Sequence, residues 1–185
     1  LPEFTMLEWY RAGCAYDIVM ADCIAVIARA ARTTGIGTFS FRGRRADPLA
    51  EPERLTVAAA FDRFAGIDLL KTVAAGEGDR AALASAALGK VRIADDDTWS
   101  DIFSKMLVEH IEPQLGQGRL TILFEYPAPE AALARVNPND DRVSERFEVY
   151  ACGVELANGF GELTDAAEQR IRFTRAMDEK QSRYG

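Results

Sequence analysis

The sequence predicts an α+β domain, on three observations. β-rich stretches lie near both ends of the chain, at 3–11 ("EFTMLEWYR"), 119–126 ("RLTILFEY") and 146–157 ("RFEVYACGVELA"). A helical segment, about 56–115, lies between them. No internal repeat and no low-complexity tract interrupts the pattern. The expected architecture is one domain: a mixed, largely antiparallel sheet flanked by helices.

Each element has a local reason. Residues 3–11 combine aromatic and β-branched side chains with alternation, which predicts a strand. Period two puts Phe4, Met6, Glu8 and Tyr10 on one face, and Glu3, Thr5, Leu7, Trp9 and Arg11 on the other. Residues 16–33 space their apolar side chains for a helix that stops at Gly35. Residues 36–54, rich in Gly, Arg and Pro, predict a loop with a short strand at 38–41. Thr56 offers an N-cap for a helix through Phe64, stopped by Gly66, and Asp79 caps another through about Leu88. "DDDTWSDIFSKMLVEHIEPQLG" predicts an amphipathic helix whose Asp-rich start suits the positive N-terminal dipole. The run 119–126 is a buried strand ended by Pro127, and "APEAALARV" predicts a short helix. Two strands then flank Cys152-Gly153. The final helix is expected to be capped by Thr164, with Asp165 and Glu168 in its first turn.

Composition excludes several classes of function. The chain has 185 residues, 48% hydrophobic and 28% charged, ordinary values for one globular core. There is no run of 18 apolar residues and no visible signal peptide, so no membrane association is expected. Cys14, Cys23 and Cys152 are odd in number and lack a CxxC pair, which argues against a disulfide framework or a zinc site and for reduced cytoplasmic thiols. The one histidine, His110, has no neighbour suited to nucleophilic catalysis and is expected to be structural. The net charge of −7 disfavours nucleic-acid binding and leans toward a small cationic substrate. The only basic cluster, Arg42-Gly43-Arg44-Arg45, falls in loop. The chain starts at Leu1 without Met, so it is expected to come from the middle of a longer protein.

The stretch "EVYACGVELANGFGEL" (148–163) carries more charge than a core strand needs. If Cys152-Gly153 is a two-residue hairpin turn, Tyr150 opposes Glu155 and Glu148 opposes Ala157. Glu148, Tyr150, Glu155 and Ala157 then share one face, while Val149, Ala151, Val154 and Leu156 form an apolar one. Two readings fit. The face is a half-solvated surface, on which two glutamates cost little. Or it is a cation site, in which paired carboxylates hold Mg²⁺ with phosphate oxygens. Gly159 and Gly161 would let the backbone approach a ligand, with Asn158 and Glu162 presented to the same cleft. In the first strand, Phe4 with Glu8 and Tyr10 reads either as the edge of the core or as a ligand wall.

These segments also resemble a known family. "LPEFTMLEWYR" resembles the second strand of motif 2 in class II lysyl-tRNA synthetases, and "FEYPAPEAALARVNP" the "YP-x-x-x-x-x-LA" segment that follows. "RFEVYACGVELANGFGELTDAAEQRIRF" resembles the strand pair and helix before motif 3. Residues 12–118 match mainly in layout. The details "EWYR", "ERFEVY", "VELANGF" and "ELTDAAEQ" are nearer to the elongation factor P lysine ligase branch than to the synthetases. Residues 1–185 would then be part of a class II catalytic domain, an antiparallel sheet flanked by helices.

The resemblance implies a chemistry and assigns roles. ATP and Mg²⁺ are the implied cofactors, lysine or β-lysine the substrate, and elongation factor P the acceptor, with tRNA-Lys as the alternative. Phe4 would stack on adenine. Glu8 and Tyr10 would contact the lysine. Glu148 and Glu155 would hold Mg²⁺ and the phosphates. Asn158 would orient the substrate, Phe160 would line its aliphatic chain, and Glu162 would pair with its ammonium. Ala157, where synthetases usually carry Gly, would line the pocket and influence which lysine isomer fits. A carboxylate–ammonium contact at ~4 Å gives about 1 kcal/mol in water and about 4 at an effective dielectric near 20, so Glu162 needs a shielded cleft. Adenylation needs no protein nucleophile; positioning and charge neutralisation suffice. The whole protein would be a cytoplasmic homodimer. Motif 1, the motif 2 arginine and motif 3 lie outside these 185 residues, so this piece alone is not expected to be competent for adenylation. A non-catalytic paralogue that only binds is the third possibility.

Overall fold

The computed structural model describes Glu3 and residues 5–184. Helix α1 (Tyr16–Thr34) ends at Gly35 as predicted. Strands β1 (Phe39–Phe41) and β2 (Arg44–Asp47) form a hairpin, so the basic cluster is its tip. Strand β3 (Glu53–Thr56) runs directly into α2 (Val57–Ala65), where Thr56 Oγ1 accepts the Ala59 N–H at 3.1 Å. A two-residue hairpin, β4 (Val73–Ala74) with β5 (Glu77–Gly78), interrupts the segment expected to be helical. Helices α3 (Arg80–Ala86, capped by Asp79) and α4 (Trp99–Met106) follow. The second half contains β6 (Gly118–Arg119), β7 (Thr121–Pro127), β8 (Val136–Asn137), β9 (Asp140–Ala151), β10 (Val154–Phe160) and α5 (Ala166–Tyr184).

The main sheet has the order β10-β9-β7-β3, with β8 also paired to β9. Helices cover both of its faces. On one, Phe61 of α2 and Phe103 of α4 stack at 5.2 Å between centroids and pack over Leu55, Leu123, Tyr126 and Tyr150. On the other, Tyr16, Met20 and Cys23 of α1 pack on Ile122, Phe147, Val149 and Ala151. The α+β class is therefore observed. The pairing is less uniformly antiparallel than expected, because β3 lies parallel to β7 and β2 parallel to β6. Among the described residues no helix is long and apolar enough to cross a membrane.

The structure corrects four predicted elements. Residues 5–10 are in no strand. A strand needs a ladder partner, and no described strand runs beside this segment. Its alternation survives as packing: Trp9 rests on the α1 cluster and Arg11 makes a bidentate ion pair with Asp22, while Met6 and Tyr10 are each 72% exposed. The long amphipathic helix is only partly α-helical. It starts at Trp99 behind a Thr98–Asp101 capping box, widens to a π-helical turn at Leu107–Ile111 and tightens at Glu112–Gln114. Pro113 has no N–H to donate four residues back, which ends regular helix there. "APEAALARV" forms only the turn Ala128–Glu130. Its backbone is drawn into the sheet instead: Arg135 N–H donates to the Gly161 carbonyl and Leu163 N–H to the Leu133 carbonyl, both at 2.9 Å. Finally, Asp165 caps α5 in place of Thr164, accepting from the Ala167 and Glu168 N–H groups.

One glycine fixes how the loop before the sheet meets β9. At Gly116, φ +67°, a Cβ would lie 2.5 Å from Ala151 Cα and 2.7 Å from the Tyr150 carbonyl oxygen. At Gly89, φ +75°, a Cβ would meet nothing within 4 Å. Gly89→Ala should cost only the positive-φ penalty, about 1 kcal/mol. Gly116→Ala should cost about 2 kcal/mol more, because rigid backbone has to move. Urea midpoints of the two variants check this; equal losses would contradict the close approach.

Candidate active site

The hairpin forms as predicted. Cys152 and Gly153 take φ +56° and +74°, the two positive values a tight type I′ turn requires. Ala151 opposes Val154 and Tyr150 opposes Glu155, as expected. Beyond that point the register shifts. Leu156 is an extra residue, so Ala157 opposes Val149 and Asn158 opposes Glu148. This β-bulge reverses the facing of everything after it.

The consequence is chemical. In a straight hairpin Asn158, Phe160 and Glu162 would point away from Glu155. With the bulge, Arg146, Glu148 and Tyr150 of β9 share a face with Glu155, Asn158 and Phe160 of β10, and period two carries Glu162 to the same side. Ala157 is thereby corrected: it turns to the opposite face and packs against the Phe147–Val149 cluster under α1. Gly159 and Gly161 are corrected as well. Their missing Cβ atoms make room not for a ligand but for the Phe147 ring, 2.6 Å from a Cβ at 159, and for the Glu145 carboxylate beside 161.

Glu148 is the centre of the face. It is only 5% exposed. Its Oε2 accepts the Tyr126 and Tyr150 hydroxyls, each at 2.5 Å, and its Oε1 accepts Arg146 Nη2 at 2.8 Å. Arg146 is itself fixed: Nη1 donates to the Glu130 carbonyl at 2.8 Å, and the guanidinium lies over the Tyr126 ring, 4.5 Å from its centroid. Tyr126 reaches this face through a second irregularity. The β7–β9 register shifts between Phe124 and Tyr126, where Glu125 adopts φ +56°.

Two more carboxylates surround this network. Glu112, half-buried, has Oε1 3.4 Å from the Tyr150 hydroxyl. Burial, and then the Glu148 charge, push its carboxyl above the ordinary value near 4.5. Glu155 is pushed up for the same two reasons in the same order. Burial drives both phenols upward, and the Glu148 charge adds to it, so Tyr126 and Tyr150 stay protonated donors.

Of the other predicted residues, Asn158 and Glu162 are exposed and Phe160 is half-buried. Tyr10 donates to Glu8 Oε1 at 2.6 Å. The hydrogen bond to Glu8 and its charge raise the Tyr10 hydroxyl's pKa, with the Glu162 charge adding least. Phe4 lies outside the described residues. His110 is half-buried, with Nε2 2.9 Å from the Lys90 carbonyl oxygen. Sequence reasoning missed Arg146, Tyr126 and Glu112. Arg146 was legible as the residue two before Glu148, on its face; Glu112 and Tyr126 arrive only through tertiary packing.

The donor set suits a hard divalent cation. Its carboxylates offer oxygens, Arg146 bonds Glu148, and Glu148 Oε1 keeps a lone pair beyond the one Arg146 uses. Among the described residues no group of three or more His, Cys, Asp or Glu side chains is placed to enclose a metal ion. Two carboxylates, Glu148 and Glu155, are within the number Mg²⁺ takes from protein when phosphate oxygens and water complete its shell, and they are the residues that would hold it.

The model of the family of class II tRNA synthetases (D, K and N) matches residues 1–185. The chain belongs to the class II tRNA synthetase family. Within it, the chain is similar to elongation factor P–(R)-β-lysine ligases. That of Klebsiella pneumoniae subsp. pneumoniae is 39% identical over 175 residues, covering 93% of this chain and 47% of the relative. Those of Vibrio cholerae serotype O1 and Proteus mirabilis are 37% identical, over 173 and 175 residues, covering 93% and 94% of this chain and 47% and 48% of the relatives. The chain thus spans about half the length of the curated relatives it matches.

Two predictions follow from the network. Glu148→Ala leaves two phenols and a guanidinium without their acceptor in a buried place, and should cost about 3–5 kcal/mol in urea unfolding. Glu155 behaves oppositely. Its carboxyl is raised in the fold, so the folded state holds its proton to higher pH than the unfolded chain, and stability falls as pH climbs from about 4.5 through the raised value. Glu155→Gln should therefore stabilise the ligand-free chain at pH 7 by about 0.5 kcal/mol, kept small by solvent screening. The gain should vanish near pH 4. A Tm difference independent of pH would contradict it.

Proposed function

We propose that the protein containing this chain is an ATP-dependent ligase. It activates lysine or (R)-β-lysine as an aminoacyl-adenylate and transfers it to a lysine side chain of elongation factor P. The observation that carries this reading is the similarity over 93% of the chain to proteins named for that ligation. The polar face of β9 and β10 supports it, because that face offers positioned carboxylates and an amide, which such chemistry uses.

In this reading the substrate carboxylate attacks the α-phosphorus, the bond to the β-phosphate oxygen breaks, and pyrophosphate leaves. The acceptor amine then attacks the acyl carbon and AMP leaves. Glu148 and Glu155 hold Mg²⁺ and the phosphates; the ion, when bound, neutralises phosphate charge. Phe4 stacks on adenine. Glu8 and Tyr10 contact the amino acid, Asn158 orients it, Phe160 lines its aliphatic chain, and Glu162 pairs with the side-chain ammonium. Ala157, behind the sheet, is not among the contacts. The whole protein acts as a homodimer in the cytoplasm.

The test supplies the full-length protein with ATP, Mg²⁺, labelled lysine or (R)-β-lysine, and either elongation factor P or tRNA-Lys. Label on elongation factor P is expected. Label on tRNA would make it a lysyl-tRNA synthetase, and label on neither would make it a binding paralogue. Glu162→Gln should raise KM for the amino acid about tenfold or more, since each tenfold is about 1.4 kcal/mol. KM for ATP should change less than about twofold.

A further inference from the structure

Glu148 is held by more donors than a cation ligand needs, and their distribution is uneven. A carboxylate oxygen offers about two in-plane lone-pair directions. On Oε2 both are filled, by the hydroxyls of Tyr126 and Tyr150 at 2.5 Å. On Oε1 one is filled, by Arg146 at 2.8 Å. Both tyrosines are 1% exposed, so their hydroxyls are shielded from bulk solvent; the Tyr150 hydroxyl also lies 3.4 Å from Glu112 Oε1. Their rings are packed in the α2–α4 core, which fixes the positions of the two oxygens.

We propose that Tyr126 and Tyr150 are positioning residues of the metal and phosphate site: by capping Oε2 of Glu148 together, they dedicate Oε1 to the cation. This rests on the assignment of Glu148 and Glu155 to Mg²⁺. The torsion about a carboxylate is broad and two-fold, so an unclamped Glu148 would exchange its oxygens and turn over easily. With two phenols on one oxygen, only the other presents a free acceptor direction. Phenols suit the task better than lysines, because they donate without neutralising the carboxylate. Arg146 completes the clamp from the other side, and its own hold on the Glu130 carbonyl and the Tyr126 ring ties the device to β7.

The experiment reads metal affinity directly. Mn²⁺ is titrated by electron paramagnetic resonance into the full-length protein with a non-hydrolysable ATP analogue, for wild type, Tyr126→Phe, Tyr150→Phe and Glu155→Gln. Each phenylalanine keeps the ring and removes one donor. Both should weaken Mn²⁺ by about 10–100-fold, the usual effect of removing a partner that orients a metal ligand. Affinity for the analogue without metal should stay near the wild-type value. If Glu155→Gln weakens Mn²⁺ while both phenylalanine variants bind it as wild type does, the clamp is structural only and the proposal fails. If Glu155→Gln also leaves Mn²⁺ binding unchanged, the assignment of the metal to this pair falls first, and the clamp with it.

Discussion

Leu156 is the residue that β9 leaves unopposed, and the composition of the polar face depends on it. Period two is strict along a strand, so one extra residue moves every later side chain across the sheet. Before the bulge, Glu155 sits with Tyr150; after it, Asn158 sits with Glu148 and Phe160 with Arg146. The same shift delivers Ala157 and Gly159 to the α1 side. There small size is required, because the Phe147 ring occupies the space a side chain at 159 would use. The polar face and the tight back of the sheet are therefore one constraint seen from two sides. A substitution chosen to alter one should be checked for its effect on the other.

Glu148 sets the second constraint. An ionised carboxylate is costly to bury unless its oxygens are satisfied. Here two neutral donors and one cation do so, and the site keeps a surplus of negative charge from Glu112 and Glu155. That surplus is unfavourable in the free protein, since each of the two carboxyls is pushed upward by the Glu148 charge. Perturbed carboxylates gathered in one cluster are a common mark of ligand-binding faces.

Much of this was legible in the sequence, and the rest was hidden for physical reasons. The caps at Thr56 and Asp79, the stop at Gly35 and the turn at Cys152-Gly153 were readable because each is local chemistry. The bulge was not, because nothing in "VELANGF" distinguishes an unopposed leucine from a paired one; register is a property of β9 and β10 together. Residues 3–11 have strand composition, but a ladder is a property of two segments and composition reports only one. "APEAALARV" has helical propensity that its backbone bonds to Gly161 and Leu163 override. Tyr126 and Glu112 were invisible as site residues because both come from elements whose own patterns read as core or surface.

The division of labour across the face follows from rigidity. Glu148 is locked from three directions, whereas Glu155, Asn158 and Glu162 are exposed. A carboxylate fixed by three donors presents its remaining acceptor direction at little reorganisation cost. Of the three cysteines, Cys14 is exposed and the other two are buried. Cys23 is buried under α1 with its thiol pushed up to about 11 by burial, and Cys152 is buried at the turn, its Sγ 3.7 Å from the Phe39 carbonyl oxygen. His110 is bonded to the Lys90 carbonyl. The face is thus one fixed carboxylate, Glu148, among exposed polar groups, with Cys23 and Cys152 buried on the opposite side of the sheet.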